Sequence, residues 1–211
     1  MRGISAVLRV DGLTRGFSGL LVLHELSFEL APGEGAAVVG PNGSGKTTLL
    51  RCVAGSDVPD AGRITLNGHP VVETSPDTRA ALACVLDDVD FFPDLSVSEH
   101  LALCALAHEQ PNAAETVEAV LAELGIAEQR DQLPATLSSG QRRRLALASC
   151  FVRPRTLLVL DEPEQRLDVE GRAWLASRLN AEKAAGGSVL MASHDPELIE
   201  AVADVYIEVG L

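Results

Sequence analysis

The sequence predicts an α/β protein built on a mostly parallel sheet with helices on both faces. Short apolar runs, "AAVVG", "ALACVL", "TLLVLD" and "GSVLMAS", recur along the chain. Strands that read as unbroken apolar runs are usually buried on both faces. In the second half these runs alternate with helical segments, as β-α units do. A block of helices between about residues 94 and 140 interrupts the alternation, as an insertion into the sheet would.

Taken in order, "ISAVLRV" and "LLVLHELSFEL" carry β-branched and apolar residues in partial alternation and read as strands. "APGE" (Ala31 to Glu34) is a turn before the short strand "AAVVG". "GSGKTTLLRCVAG" moves to helical periodicity and stops at Gly55. "PDAGRITLNGHPV" gives a turn and a hairpin around Asn67-Gly68, and "ALACVL" a further apolar run. From Val97 to about Ala148, "VSEHLALCALAHE", "NAAETVEAVLAELGI" and "QRRRLALASCFV" are helical, broken at Gly125 and Pro134. Then follow the strand "TLLVLD", a helix from about Val169 to Ala185, "GSVLMAS", the short helix "DPELIEAVA" and "VYIEV".

The 211 residues suit one large domain, or a core with one insertion. A 46% hydrophobic content with only 3% aromatic describes an aliphatic core rather than an aromatic-rich binding module. The net charge of −13 weighs against nucleic acid, whose phosphates are met mainly by Lys and Arg. The four cysteines (Cys52, Cys84, Cys104, Cys150) show no metal-ligand spacing and are expected to be buried thiols in a reducing compartment. No run reaches the 18 to 20 apolar residues of a membrane span, and "MRGISAVLRV" lacks the apolar stretch of a signal peptide. The expectation is a soluble, cytoplasmic protein brought to any membrane by a partner.

"GPNGSGKTT" matches G-x-x-x-x-G-K-[ST] between an apolar strand and a helix, the context that motif needs. Over Gly40, Pro41, Asn42, Gly43, Ser44, Gly45, Lys46, Thr47 and Thr48, the glycines let successive N–H groups point into one concavity that fits a polyphosphate. Lys46 is placed to reach the β- and γ-phosphates and Thr47 to hold Mg²⁺. The helix amino end adds partial positive charge. In "TLLVLDEP" an apolar strand delivers Asp161 for Mg²⁺ and Glu162 to orient or deprotonate a water. Such a pair could be a solvated strand cap; the cradle upstream favours the catalytic reading.

"LSSGQRRRLALASC", from Leu137 to Cys150, opens a helix with two serines and a glycine. A Ser cap explains one serine but not the whole string. With "LSSGQ", "LVLDEP" and "ASHD" behind a P-loop, the chain from Val10 to Val209 resembles an ATP-binding cassette (ABC) ATPase, the nucleotide-binding subunit of an ABC transporter. The resemblance implies a P-loop NTPase core with a mostly parallel sheet, an N-terminal antiparallel β subdomain and an inserted α-helical subdomain (about 94–140), all within one domain spanning 1–211. It implies ATP and Mg²⁺, hydrolysis, transmembrane permease subunits and a second ABC ATPase subunit, in a homodimer or heterodimer closing head-to-tail around two ATP. The location implied is cytoplasmic, peripheral on the inner face of the membrane through the permease.

The resemblance also assigns residues. Ser138, Ser139, Gly140 and Gln141 would cap the γ-phosphate held by the other subunit. Phe17 would stack on adenine; as a lone Phe it would read as core. Asp168, in "RLD", matches the loop that crosses the dimer interface, and His194, in "SHD", the switch histidine at the γ-phosphate. The other four histidines fit no motif and are expected to be solvated or structural. Arg142 to Arg144 could support phosphate or form a solvated first turn.

Two departures stand out. Asp87 takes the place where the family has Gln, so the resemblance makes it a Mg²⁺ ligand with altered metal dependence or coupling. Ser139 replaces a signature Gly. The cleft from Asp87 to Val97 would receive the membrane partner, with Phe91 and Phe92 either exposed for it or part of the core. The compact length resembles stand-alone cassettes with separate membrane subunits, often exporters. A cassette in translation or DNA repair fits less well, because the chain is acidic and has no second cassette, coiled coil or zinc module. A non-hydrolysing regulator fits less well given Lys46, Asp161, Glu162 and His194.

Overall fold

The computed structural model describes residues 6–86 and 89–210. The chain opens with β1 (Leu8–Phe17), β2 (Leu20–Leu30) and β3 (Gly35–Val39), then α1 (Lys46–Ala54), β4 (Ala61–Leu66) and β5 (His69–Pro70). A short helix, α2 (Pro76–Ala81), leads into β6 (Leu82–Val85). Helices α3 (Val97–Ala107), α4 (Ala113–Glu123) and α5 (Ser139–Phe151) come next. The chain continues through β7 (Leu157–Asp161), α6 (Val169–Ala184), β8 (Ser188–Ala192), α7 (Pro196–Val202) and β9 (Val205–Glu208).

The strands form two sheets. One is antiparallel in the order β2-β1-β4-β5, and the other has five strands in the order β6-β7-β8-β3-β9, every pairing parallel. The β4–β5 turn falls on Asn67 and Gly68, both at positive φ (51° and 82°), as a tight hairpin turn requires. The sequence expectation ends the first strand at Val10, whereas β1 continues to Phe17. Register shifts after Val10, Leu13 and Arg15 disturb the alternation that would have revealed it.

The parallel sheet divides the core. Successive side chains of a strand face opposite sides, and in β7 Leu158 and Leu160 join the cluster that holds Leu145, Leu147, Leu175 and Leu179 from α5 and α6. Leu157 and Val159 join the other cluster, with Leu49, Leu50 and Val53 of α1 and Leu8, Val10 and Leu13 of β1. Every residue of β7 and β8 is buried. This two-sided burial is why these strands read as unbroken apolar runs, each fully buried Leu contributing about 1.5–3 kcal/mol. The expectation of four buried thiols holds for Cys52 and Cys150; Cys84 is exposed and Cys104 half-buried.

This topology determines where chemistry can occur. Strands β7, β8 and β3 are neighbours and run parallel, so their carboxyl ends lie along one edge, where ligands bind in open α/β sheets. The residues that leave those ends are Asp161–Glu162, Ser193–His194 and the loop from Gly40.

Candidate functional site

The loop after β3 turns into α1 through Gly45, the residue preceding the helix, at φ 103°. A Cβ there would sit 2.7 Å from Val22 Cγ1 and 3.1 Å from Leu23 Cδ2, so both the backbone angle and the close approach of β2 call for glycine. Lys46 is buried, its Nζ donating to the carbonyls of Gly40 (2.8 Å) and Pro41 (3.0 Å). The ammonium is thereby held inside the concavity of the loop. Ser44 Oγ is buried without a hydrogen-bond partner, which leaves an unsatisfied hydroxyl in a loop shaped for an anion.

Thr47 Oγ1 donates to Asp161 Oδ2 at 2.6 Å, joining the first turn of α1 to the end of β7. A hydroxyl beside a carboxylate is a hard-oxygen donor pair. Mg²⁺ commonly takes one or two protein oxygens and keeps its remaining positions for water and phosphate. Among the described residues no group of three or more His, Cys, Asp or Glu could hold a metal by itself.

Glu162 follows at φ 44°, a strained angle for a non-glycine residue, and its N–H donates to Ala192 O at 2.8 Å. Its Oε1 lies 3.2 Å from His194 Nε2. Phe17, Asn42, Gly43, Gly45, Lys46, Thr47, Thr48, Glu162 and His194 line one cavity of about 590 Å³. Phe17 is 45% exposed there, with the Arg15 guanidinium 4.5 Å from its ring centroid. Arg15 is in turn paired to Asp57 (2.7 Å) and Asp60 (2.9 Å). Phe17 is therefore a rim residue stacked on a cation, not a core one.

The segment from Ser138 to Gln141 lies elsewhere. Ser138 Oγ accepts from the Gln141 N–H (3.2 Å) and Gln141 Oε1 from the Ser138 N–H (2.9 Å), a reciprocal cap at the start of α5. Ser139 lines a second cavity of about 570 Å³ with Arg142, Arg143, Arg166 and Phe91. A Cβ on Gly140 would lie 3.0 Å from Arg166 O, so the loop before α6 passes close to this helix end. Asp168 caps α6, accepting from the Gly171 N–H (2.8 Å) and from Arg144 (2.9 Å). The Gly171 hydrogen bond, joined by the Arg144 guanidinium and opposed by desolvation, holds its carboxyl below the usual carboxylate range.

Of the three arginines, Arg142 alone is exposed as a solvated first turn expects. Arg143 is neither solvated nor at the phosphate cradle: it donates to the carbonyls of Asp161 (2.7 Å), Glu162 (2.7 Å) and Pro163 (3.3 Å). Arg144 ties Leu124 O and Asp168 together. Asp87 lies outside the described residues. Of the aromatic pair, Phe91 packs edge-on against buried His100 at 5.3 Å, while Phe92 is 53% exposed. The sequence reading missed Arg15 and Glu164, and the carbonyls that Arg143 holds, because these partners are distant along the chain.

Residues 23–165 match the model of the ABC transporter family. The chain is 42% identical over 188 residues to the cytochrome c biogenesis ATP-binding export protein CcmA of Rhodobacter capsulatus, covering 89% of this chain and 81% of that protein. It is 34% identical over 206 residues to the sulfate/thiosulfate import ATP-binding protein CysA 2 of Chromobacterium violaceum, covering 97% of this chain but only 56% of that protein's length. A solved structure of the ATP-binding subunit of an ABC transporter superposes with a TM-score of 0.90 at 26% identity, covering 96% of this chain and 85% of that one. The chain belongs to the ABC transporter family, among its ATP-binding subunits.

Proposed function

We propose that this chain binds and hydrolyses ATP as the motor of an ABC transporter, pairing with a second cassette around two ATP and driving translocation through separate membrane subunits. In this reading residues 1–211 form one cassette, with the helices of about 94–140 inserted into its P-loop core. One observation carries the proposal: Glu162 and His194 meet at 3.2 Å in the cavity that also holds Lys46 and Thr47. A base, a second polar group and a polyphosphate cradle are the parts that phosphoryl transfer to water needs.

Lys46 and the loop N–H groups would bind the phosphates, and Phe17 would offer its ring to the adenine. Thr47 and Asp161 would hold Mg²⁺, which when bound neutralises charge on the β- and γ-phosphates. Glu162 takes a proton from the attacking water. The water oxygen bonds to the γ-phosphorus as the bond to the β–γ bridging oxygen breaks, giving ADP and phosphate. His194, against Glu162, contacts the γ-phosphate. The exposed start of α5, with Ser138 and Ser139, does not line the P-loop cavity of its own chain. In a head-to-tail pair that helix end would cap the nucleotide of the partner.

No helix among the described residues is long and apolar enough to cross a membrane, so the membrane path would come from partner subunits. The exposed Phe92 is a candidate contact for them. Relatives named for import and for export both match, in keeping with a motor whose cargo and direction are set by its partner.

The test is Glu162→Gln, which keeps the shape and removes the base. Turnover should fall by about 10²–10⁴-fold, the usual contribution of a general base, while light scattering shows an ATP-dependent dimer. A variant as fast as the parent, or a parent inactive even with its membrane partner, would overturn the proposal.

A further inference from the structure

The exposure of the His194 side chain leaves open what keeps the imidazole against Glu162, since half of it is in solvent. The answer lies in the backbone of its turn. Glu164, two residues beyond Glu162, is buried (9% exposed), and its Oε1 accepts from both Ser193 Oγ (2.7 Å) and the His194 N–H (3.0 Å). Its other oxygen, Oε2, is buried without a hydrogen-bond partner. Taking a carboxylate out of water is costly, and this one places both of its hydrogen bonds on the 193–194 turn. Ser193 Oγ also accepts from the Asp195 N–H (3.0 Å), and Asp195 caps α7 through the N–H groups of Glu197 and Leu198.

The strand-end segment is fixed from the other side. The Arg143 guanidinium reaches from α5 to the carbonyls of Asp161, Glu162 and Pro163. Glu162, at its strained φ of 44°, is thus gripped by Arg143 on its carbonyl and by Ala192 on its N–H.

We propose that Glu164 is a positioning residue, which holds the His194 turn in register with Glu162, and that Arg143 fixes the segment from which Glu164 acts. This rests on the reading of Glu162 and His194 as the groups that act at the γ-phosphate. Neither Glu164 nor Arg143 lines the P-loop cavity, so their effect is on turnover rather than on nucleotide binding.

The experiment compares Glu164→Leu, Glu164→Gln and Ser193→Ala with the parent, in the full chain with its membrane partner. Steady-state ATPase kinetics are measured together with hydrogen exchange at the His194 amide. An ångström-scale displacement of catalytic groups can cost about 10²-fold in rate. Glu164→Leu is therefore expected to lower kcat by roughly 10–100-fold with KM within about threefold of the parent. Exchange at the His194 amide should quicken. Glu164→Gln, whose amide oxygen can take both donors, should recover most of the kcat, and Ser193→Ala, which removes one of the two donors, should lower kcat less than Glu164→Leu and quicken exchange at the same amide.

Parent-like kcat in Glu164→Leu, or a loss that Glu164→Gln does not recover, overturns the proposal. If Glu164→Leu fails to fold, Ser193→Ala and Glu164→Gln still decide through the same amide. A parent that binds ATP without turning it over would end the hydrolytic reading, and the exchange measurement alone would then judge the clamp: an unchanged His194 amide in Glu164→Leu refutes it.

Discussion

The contact between Thr47 and Asp161 can be tested before any nucleotide is added. Thr47→Val replaces a hydroxyl by a methyl of similar volume and leaves α1 otherwise intact. The hydrogen bond it removes is short (2.6 Å) and ends on a carboxylate that is only 9% exposed. A bond to a charged group is worth about 1.5–3 kcal/mol net, because the carboxylate left behind has lost water without gaining a partner. For a protein of this size 1 kcal/mol moves Tm by about 2–4 °C, so the expected fall is roughly 3–12 °C in EDTA. Thr47→Ser, which keeps the hydroxyl, should stay close to the parent.

Mg²⁺ and ATP extend the test. A ligand at 100 times its Kd stabilises the folded state by about 2.7 kcal/mol. If Thr47 also serves the metal, Thr47→Val forgoes most of that gain, and the gap to the parent widens on adding Mg·ATP. Scanning calorimetry, with a non-hydrolysable analogue in place of ATP, reads both steps. A variant within about 0.5 kcal/mol of the parent in EDTA would refute the structural half of the reasoning. A gap that does not grow with Mg²⁺ and nucleotide would refute the metal half.

Two further outcomes follow from ion pairs away from the cavity. Arg155 and Glu182 pair at 2.5 Å with side chains 7% and 11% exposed; Glu182→Leu should cost about 3–5 kcal/mol in urea unfolding, because it takes the carboxylate from a buried guanidinium and leaves it the carbonyls of Cys150 and Arg153. A single variant as stable as the parent would dismiss the pair. The lowered carboxyl of Asp168 contributes stability that is fully present above the ordinary aspartate pKa and is lost as pH falls through the lower folded value. The stability gap between the parent and Asp168→Asn should therefore be flat near neutrality and shrink in acid, and a gap that grows on acidification would contradict this.

What the sequence revealed, and what it hid, follows from chain distance. The phosphate loop is contiguous, and its glycines are needed where the structure puts them: Gly45 lies at positive φ hard against Val22. The runs of β7 and β8 were legible because burial on both faces leaves polar residues only at their ends, Asp161 and Ser188. The six-residue helix α2 was not, being shorter than two turns of any periodic pattern. The cap on α5 was spelled out locally as a Ser followed three residues later by Gln. Glu164 and Arg143 carry no such signal. Their partners are 29 and 30 residues away in one case and 18 to 20 in the other, and nothing local marks them.

These hidden contacts also explain how a strained residue can persist at the site. Glu162 at φ 44° costs of order 1–3 kcal/mol, which lasts only where the surroundings over-determine the backbone. Here they do so from two elements: Arg143 of α5 takes the carbonyls of residues 161 to 163, and the end of β8 takes the Glu162 N–H and, through Glu164, the turn of His194. Arg143 lies only five residues after Ser138 on the helix whose capped end does not line its own P-loop cavity. That helix cannot turn about its axis without drawing Arg143 off these carbonyls. The posture of the candidate base is therefore tied to the helix whose exposed start carries Ser138 and Ser139.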